Sequence, residues 1–249
     1  MLISDKGAAV ITPYYKEDLA LLERCRKSVL AQGYPITHFF VADGFPKPEL
    51  ADWDCEHIIL SRNHDDSGDT PRGFGAISAM NLGYWPILFL DADNTYEPNH
   101  LHSILECKEK NPDADVICTW RNNFLPDGTH VPHDFAEDLE KTGCDTSCYA
   151  FYPGGFRGLG VWAMMPNAYC RVDDKVVYWC LQQWEINIVW TDLRTMNYTT
   201  NHSSAYRVMG REVPDNHRDY HAPNLVENAN MVEFHQRIGL PLHLGLAPA

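Results

Sequence analysis

The sequence predicts one α/β domain built on a mixed, mainly parallel sheet with helices on its faces. Two observations carry this expectation. Short, nearly continuous apolar runs, the pattern of strands covered on both faces, alternate with segments of helical period through residues 8–120. The connections between them are short, as in right-handed βαβ units. Length agrees, since 249 residues bury a substantial core in one large domain.

Residues 8–12, ended by Pro13, read as the first strand. Apolar positions at 19, 21, 22, 25, 29 and 30 predict a helix that Gly33 and Pro35 stop. Residues 38–42 form a second strand ending at Asp43-Gly44, and 56–60 a third. A short helix over 76–82 precedes a strongly apolar strand, 86–90, which runs into Asp91-Ala92-Asp93. A helix over 98–110 and a strand over 114–120 complete the first half. Residues 121–160 change character, being rich in Gly, Pro, Asp, Cys and aromatics, with a turn at Pro153-Gly154-Gly155. A helix over 172–184 and strands over 186–190 and 196–200 follow. The domain is read as residues 1–210, in halves 1–120 and 121–210, with 211–249 a C-terminal extension holding one helix near 225–238.

Hydrophobic residues make up 45% and charged residues 22%, which excludes wholesale disorder. The net charge of -14 opposes attraction to a nucleic-acid backbone or an anionic membrane. A cation bridging acidic side chains to phosphate would still let such a chain hold an anionic nucleotide. The longest apolar runs, such as 85–90, fall far short of the roughly 18 residues needed to span a bilayer, and the expected location is cytoplasmic. Eight scattered cysteines are expected as reduced thiols. A homo-oligomer is compatible with this composition, and the sequence does not set the state.

The sharpest feature is Ile87-Leu88-Phe89-Leu90-Asp91-Ala92-Asp93, in which a buried strand delivers two carboxylates where its backbone emerges. Ligands of open α/β sheets bind at the carboxyl ends of strands. Hard oxygen ligands suit Mg²⁺ or Mn²⁺ with positions left for phosphate. The plainer alternative is that Asp91 caps a turn and Asp93 a helix.

The surroundings of this pair resemble the inverting, family 2-type glycosyltransferases of the GT-A fold. Val10-Ile11-Thr12-Pro13-Tyr14-Tyr15 is similar to that family's first strand and nucleotide-facing turn. The pieces Ser28-Val29-Leu30 and Gln32-Gly33-Tyr34-Pro35 resemble its first helix, and Val41-Ala42-Asp43-Gly44 the strand whose Asp contacts the base. Residues 75–81 reproduce its Gly, small residue and Asn spacing ahead of Asp-x-Asp. Met80 stands where an Arg or Lys is usual, which leaves Arg72 as the cation for the donor's nucleotide.

The resemblance implies a metal-dependent transferase with a GT-A, Rossmann-like fold, a UDP-linked sugar donor and a hydroxyl acceptor. Residues 1–120 would be the nucleotide-sugar half and 121–210 the acceptor half. Pro13, Tyr15 and Asp43 would line the base and ribose pocket, with Arg72 near the nucleotide. Asp93 would bind Mn²⁺ or Mg²⁺ directly, Asp91 would reach ribose or metal, and His202 would be a third ligand. Asp174, beside Asp173 in the position of the family's acidic pair, would be the base that takes the acceptor proton, with Glu185 in reserve. For Asp173 and Asp174 a helix cap is the alternative.

The aromatic and glycine-rich segment 151–158 reads either as a sugar rim or as a tight turn beside an aromatic core. Cys144 and Cys148, with His130 and His133 upstream, lack the closely paired spacing of structural zinc sites. Two rival readings stand beside the transferase. A nucleotidyltransferase would carry a glycine-rich basic loop after the first strand, where this chain has Thr12-Pro13-Tyr14-Tyr15. A noncatalytic sugar- or nucleotide-binding module would keep the fold without turnover.

Overall fold

The computed structural model describes residues 1–132, 141, 143–219 and 229–239. Its central strand, β1 (Ala8–Tyr14), is buried at every position and lies between β2 (Ile36–Asp43) and β4 (Ile87–Phe89), with β3 (Glu56–Leu60) outside β2. All four run parallel. The amide of Ala9 donates to the Pro86 carbonyl and that of Leu90 to Ile11, so odd residues of β1 serve the β4 side. The absent N–H of Pro13 therefore falls where that ladder has already ended, which is why a proline is tolerated in a central strand.

Helix α1 (Leu19–Leu30) has the predicted bounds and buries Leu22, Cys25 and Val29. Helix α2 (Asp69–Asn81) begins seven residues before the predicted start, because its first two turns bury Asp69, Pro71, Arg72, Gly73 and Gly75 rather than an apolar stripe. Two of its glycines allow close approach. A Cβ on Gly75 would stand 2.6 Å from Ile11 Cγ2, and one on Gly73 would stand 2.6 Å from the Ala163 Cβ.

The remaining elements are β5 (Thr95–Tyr96), α3 (His100–Lys110), β6 (Val116–Phe124), β7 (His130–Val131), β8 (Tyr149–Phe151), α4 (Val161–Met164), α5 (Asp173–Gln183), β9 (Ile188–Thr199), α6 (Ser203–Val208) and α7 (Ala229–Ile238). The sheet order is β3-β2-β1-β4-β8-β6-β9-β5, with β7 on β6. Strand β8, unforeseen within 121–160, is antiparallel to both β4 and β6. The two strands expected over 186–190 and 196–200 are one strand, β9, whose pairing with β6 shifts register around Trp120 and which turns through Asp192 at φ 58°. That irregularity breaks the period-2 pattern of the sequence.

Because β8 is reversed, Phe151 pairs with Ile87 and Val116 at the starting ends of β4 and β6. The segment 151–158 thus leaves the sheet at the edge opposite Asp91. It is a turn beside an aromatic core and not a sugar rim: Gly154 and Gly155 close on Asp115, and Phe151, Phe89 and Trp162 pack together.

All eight cysteines are free thiols. Burial pushes the Cys144 and Cys148 thiols well up, so both stay protonated, and His130 lies edge-on to Phe124 at 5.2 Å. His133 falls outside the described residues. Among the described residues no helix is long and apolar enough to cross a membrane.

The described helix of the expected extension is integral to the domain. Phe234 and Ile238 of α7 belong to the main core, α7 packs on α4, and His235 stacks on Trp179 at 5.0 Å. Phe234 is 1% exposed. Phe234→Ala is therefore expected to lower unfolding free energy by about 3–5 kcal/mol in a denaturant titration; a change below about 1 kcal/mol would show that α7 is a dispensable appendage.

Candidate active site

The carboxyl ends of β1, β2 and β4 and the first turns of α2 and α5 converge on a group of acidic side chains. Its organiser is Arg72, which is 3% exposed. Arg72 Nη2 donates to Asp91 Oδ1 at 2.9 Å, and Nη1 donates to Asp69 Oδ1 at 2.9 Å and to Asp173 Oδ2 at 3.4 Å. Burial alone would lower the Arg72 pKa, but Asp91, Asp173 and Asp69 outweigh it and hold the guanidinium charged. Arg72, expected beside the donor's nucleotide, is buried at the edge that carries Asp91, with both terminal nitrogens on carboxylates.

Asp173 Oδ2 also accepts from Thr146 Oγ1 at 3.0 Å and from Trp162 Nε1 at 3.1 Å. Its neighbour Asp174 is less tied. Asp174 Oδ1 accepts from the Lys175 amide at 2.7 Å, and its backbone carbonyl accepts from Tyr149 at 3.0 Å. Burial first, then the charges of Asp173 and Asp145, push the Asp174 carboxyl up to about 7. Glu185, the reserve candidate, is exposed at the far end of α5. It lies beyond the last residue of α5, Gln183, at the end of the helix opposite Asp174.

A second cation closes the group from β6. Arg121 Nη1 donates to Asp145 Oδ2 at 2.8 Å, and its guanidinium lies 4.6 Å from the Tyr198 ring centre. Six carboxylates (Asp69, Asp91, Asp93, Asp145, Asp173 and Asp174) thus surround two guanidinium groups. Asp69, Asp145 and Arg121 carry no signal in the sequence, since only convergence in space marks them.

The Asp91-to-Asp93 turn is anchored at its backbone. The Asn94 amide donates to the Asp91 carbonyl at 2.9 Å, and the Asp93 carbonyl accepts from Thr199 Oγ1 at 2.7 Å and from Arg24. Buried Asn94 accepts from the Thr199 amide at 2.9 Å, tying the turn to the end of β9. The Asp93 carboxyl is pushed up to about 7, by burial first and then by Asp91, with Glu17 and Asp145 adding to it.

Hard carboxylate oxygens whose mutual repulsion raises a pKa are a donor set that fits a divalent cation. Among the described residues no group of three or more His, Cys, Asp or Glu is gathered to hold a metal ion. Asp91 and Asp93 therefore stand as a pair, which suffices for Mg²⁺ or Mn²⁺ completed by water and phosphate. His202, expected as a third ligand, caps α6: its Nδ1 accepts from the Ser204 amide at 3.4 Å and lies 3.5 Å from Asp219.

The remaining candidates lie along the same edge. Pro13 packs beside Gly68 at the entry to α2, where an added Cβ would sit 3.2 Å from Pro13 Cγ and 3.5 Å from Arg72 Nη2. Tyr15 meets Phe45 edge-on at 4.7 Å, with the Lys16 ammonium over both rings. Asp43 accepts from the His64 amide at 3.2 and 3.1 Å through its two oxygens, and Oδ1 lies 2.6 Å from His64 Nδ1.

A mainly parallel sheet with the reversed strand β8 inside it, and an acidic pair where β4 ends, define an α/β protein of the GT-A glycosyltransferase type. Residues 9–164 match the model of glycosyl transferase family 2, and the chain belongs to that family. No curated protein matches it. Among solved structures, Staphylococcus aureus TarS is similar with a TM-score of 0.60 and 16% identity over 81% of this chain. The match covers 38% of that TarS chain. TarS 1-349 in complex with UDP is similar with a TM-score of 0.59 and 16% identity, and with UDP-GlcNAc with 0.58 and 14%. These matches cover 81% of this chain and 62% and 64% of the TarS fragments.

Arg72→Lys keeps a charge but loses the planar fork that spans three carboxylates. It is expected to lower unfolding free energy by about 1–3 kcal/mol, read from the urea midpoint. An unchanged midpoint would show that the carboxylates do not depend on the fork.

Proposed function

We propose that the protein transfers a sugar from a UDP-linked donor to a hydroxyl acceptor, with inversion and with a divalent cation. The observation that carries this reading is the pairing of two carboxylate sets through one guanidinium: Asp91 on the donor side and Asp173, beside Asp174, on the acceptor side. The UDP-bound and UDP-GlcNAc-bound TarS structures, similar in fold, support the choice of donor.

In this reading Asp93 and Asp91 hold Mn²⁺ or Mg²⁺. When bound, the ion supplies positive charge against the diphosphate that leaves. Pro13 and Tyr15 flank the nucleotide at the end of β1. Arg72 holds Asp91 and Asp173 in place. Asp173, held by Arg72, Thr146 and Trp162, has its Oδ2 taken up by three donors and orients the first turn of α5. Asp174 is the base. A carboxyl raised to about 7 is ionised above that pH and basic enough to accept the hydroxyl proton as the acceptor oxygen attacks the anomeric carbon. A single displacement with one base inverts that carbon. Cytoplasmic residence remains part of this reading.

Asp93→Ala is expected to abolish Mn²⁺-dependent UDP-sugar binding in calorimetry; equal affinity with and without the substitution would remove Asp93 from the metal. Asp174→Asn should bind the donor as the wild type does yet lose transfer, and binding without turnover in the wild type as well would favour a noncatalytic module.

The wild-type transfer rate should rise through pH about 7 and level off above it. The stability sign is the reverse. A carboxyl raised from 3.8 to about 7 contributes stability that is fully present below pH 3.8 and lost as pH rises through 7. Asp174→Asn should therefore melt higher than the wild type at pH 8, by about 2–4 °C for each kcal/mol relieved, and the gap should close towards pH 4.

A further inference from the structure

The sheet ends at β3, and among the described residues no strand lies outside it. The amide of Ala8 donates to the Pro35 carbonyl with Ala8 opposite Ile36, so odd residues of β2 serve β1 and even ones serve β3. Phe40 stands opposite His57 and Ala42 opposite Ile59, so the even residues of β3 carry the bonds to β2. His57 and Ile59 therefore turn their N–H and C=O groups outward, where no described backbone group meets them. The strand has five residues and no proline, lysine or bulge of the kind that blunts an edge. Ile58 and Leu60 are half-buried against the main core, whereas Ile59, on the other face, is 55% exposed.

We infer that β3 joins two copies of this chain, antiparallel about a two-fold axis at Ile59, so that one sheet continues through both. A second copy fits because the strand is complementary to itself in that register. Ile59 exchanges both backbone bonds with the partner's Ile59, and His57 does so with the partner's Ser61. Ile58 falls opposite the partner's Leu60, an apolar pair at the narrow, non-hydrogen-bonded spacing. Arg62, two residues past β3, falls opposite the partner's Glu56, and both side chains are exposed. The two-fold repeats each of these pairs, so an acid meets a cation on either side of the axis. An axis at Ile58 would set Glu56 against Leu60, and one at Leu60 would set Arg62 against Ile58, so charge selects Ile59. Antiparallel pairing reverses the strand direction. The two acidic edges then point opposite ways, and each copy keeps a whole site of its own.

Sedimentation of the full chain over about 1–100 µM tests this. The wild type should pass from one chain to two as concentration rises. Ile59→Lys sets two ammonium groups face to face at the axis and should sediment as a single chain throughout, with an unchanged circular dichroism spectrum because the position is exposed. Glu56→Arg and Arg62→Glu each bring like charges together twice and should raise the dissociation constant by about tenfold or more. Combined, the two substitutions restore the opposition of charge and should recover the wild-type constant. A wild type that stays a single chain at every concentration would overturn the inference. So would a dimer that survives Ile59→Lys, or a double variant that associates no more tightly than the single ones.

Discussion

Three carboxylates from three separate parts of the chain meet one buried guanidinium, and the site depends on that contact. Asp69 and Arg72 share α2, Asp91 ends β4, and Asp173 opens α5. Without the cation, each carboxylate would be a charge held out of water beside others of its sign, and the sheet edge and α5 would repel one another. With it, Asp91 and Asp173 are held on one cation, while burial and the neighbouring carboxylates push Asp93 and Asp174 up to about 7. Bringing Arg72 to this point requires α2 to lie against β1 and α4, and glycine at positions 73 and 75 permits that approach.

The sheet explains why the acids gather at one edge. Strands β1 to β4 are parallel, so Tyr14, Asp43, Leu60 and the turn after Phe89 all emerge together. The reversed β8 closes the gap between β4 and β6. Ahead of it, Ser147 receives the amide of Asp91, while Asp145 takes Arg121. The ends of β1 and β2, the acidic pair and the first turn of α5 thus lie along one rim.

Much of this architecture is legible in the amino-acid sequence. The apolar stripe of α1, the five residues of β3 and the run into Asp91 follow rules that act over a few residues. The elements that the sequence hides obey no local period. The opening turns of α2 are buried through ions and glycines, so hydrophobic spacing first shows at Ala76. Strand β8 is three residues long, and β9 is broken in pattern, though not in chain, at Asp192. Asp145 and Arg121 are 24 residues apart and form a pair only through folding. Arg72 stands at the edge that carries Asp91, and in sequence a buried counter-ion and a ligand-facing cation look alike.

Helix α7 packs on α4, and α4 supplies Trp162 to Asp173. Residues around position 234 are therefore two contacts away from the acidic centre. During synthesis the strands and Arg72 leave the ribosome well before Phe234, so the nascent sheet waits with part of its core open to solvent. The packing behind Trp162 and Asp173 is completed only once that late segment has been translated.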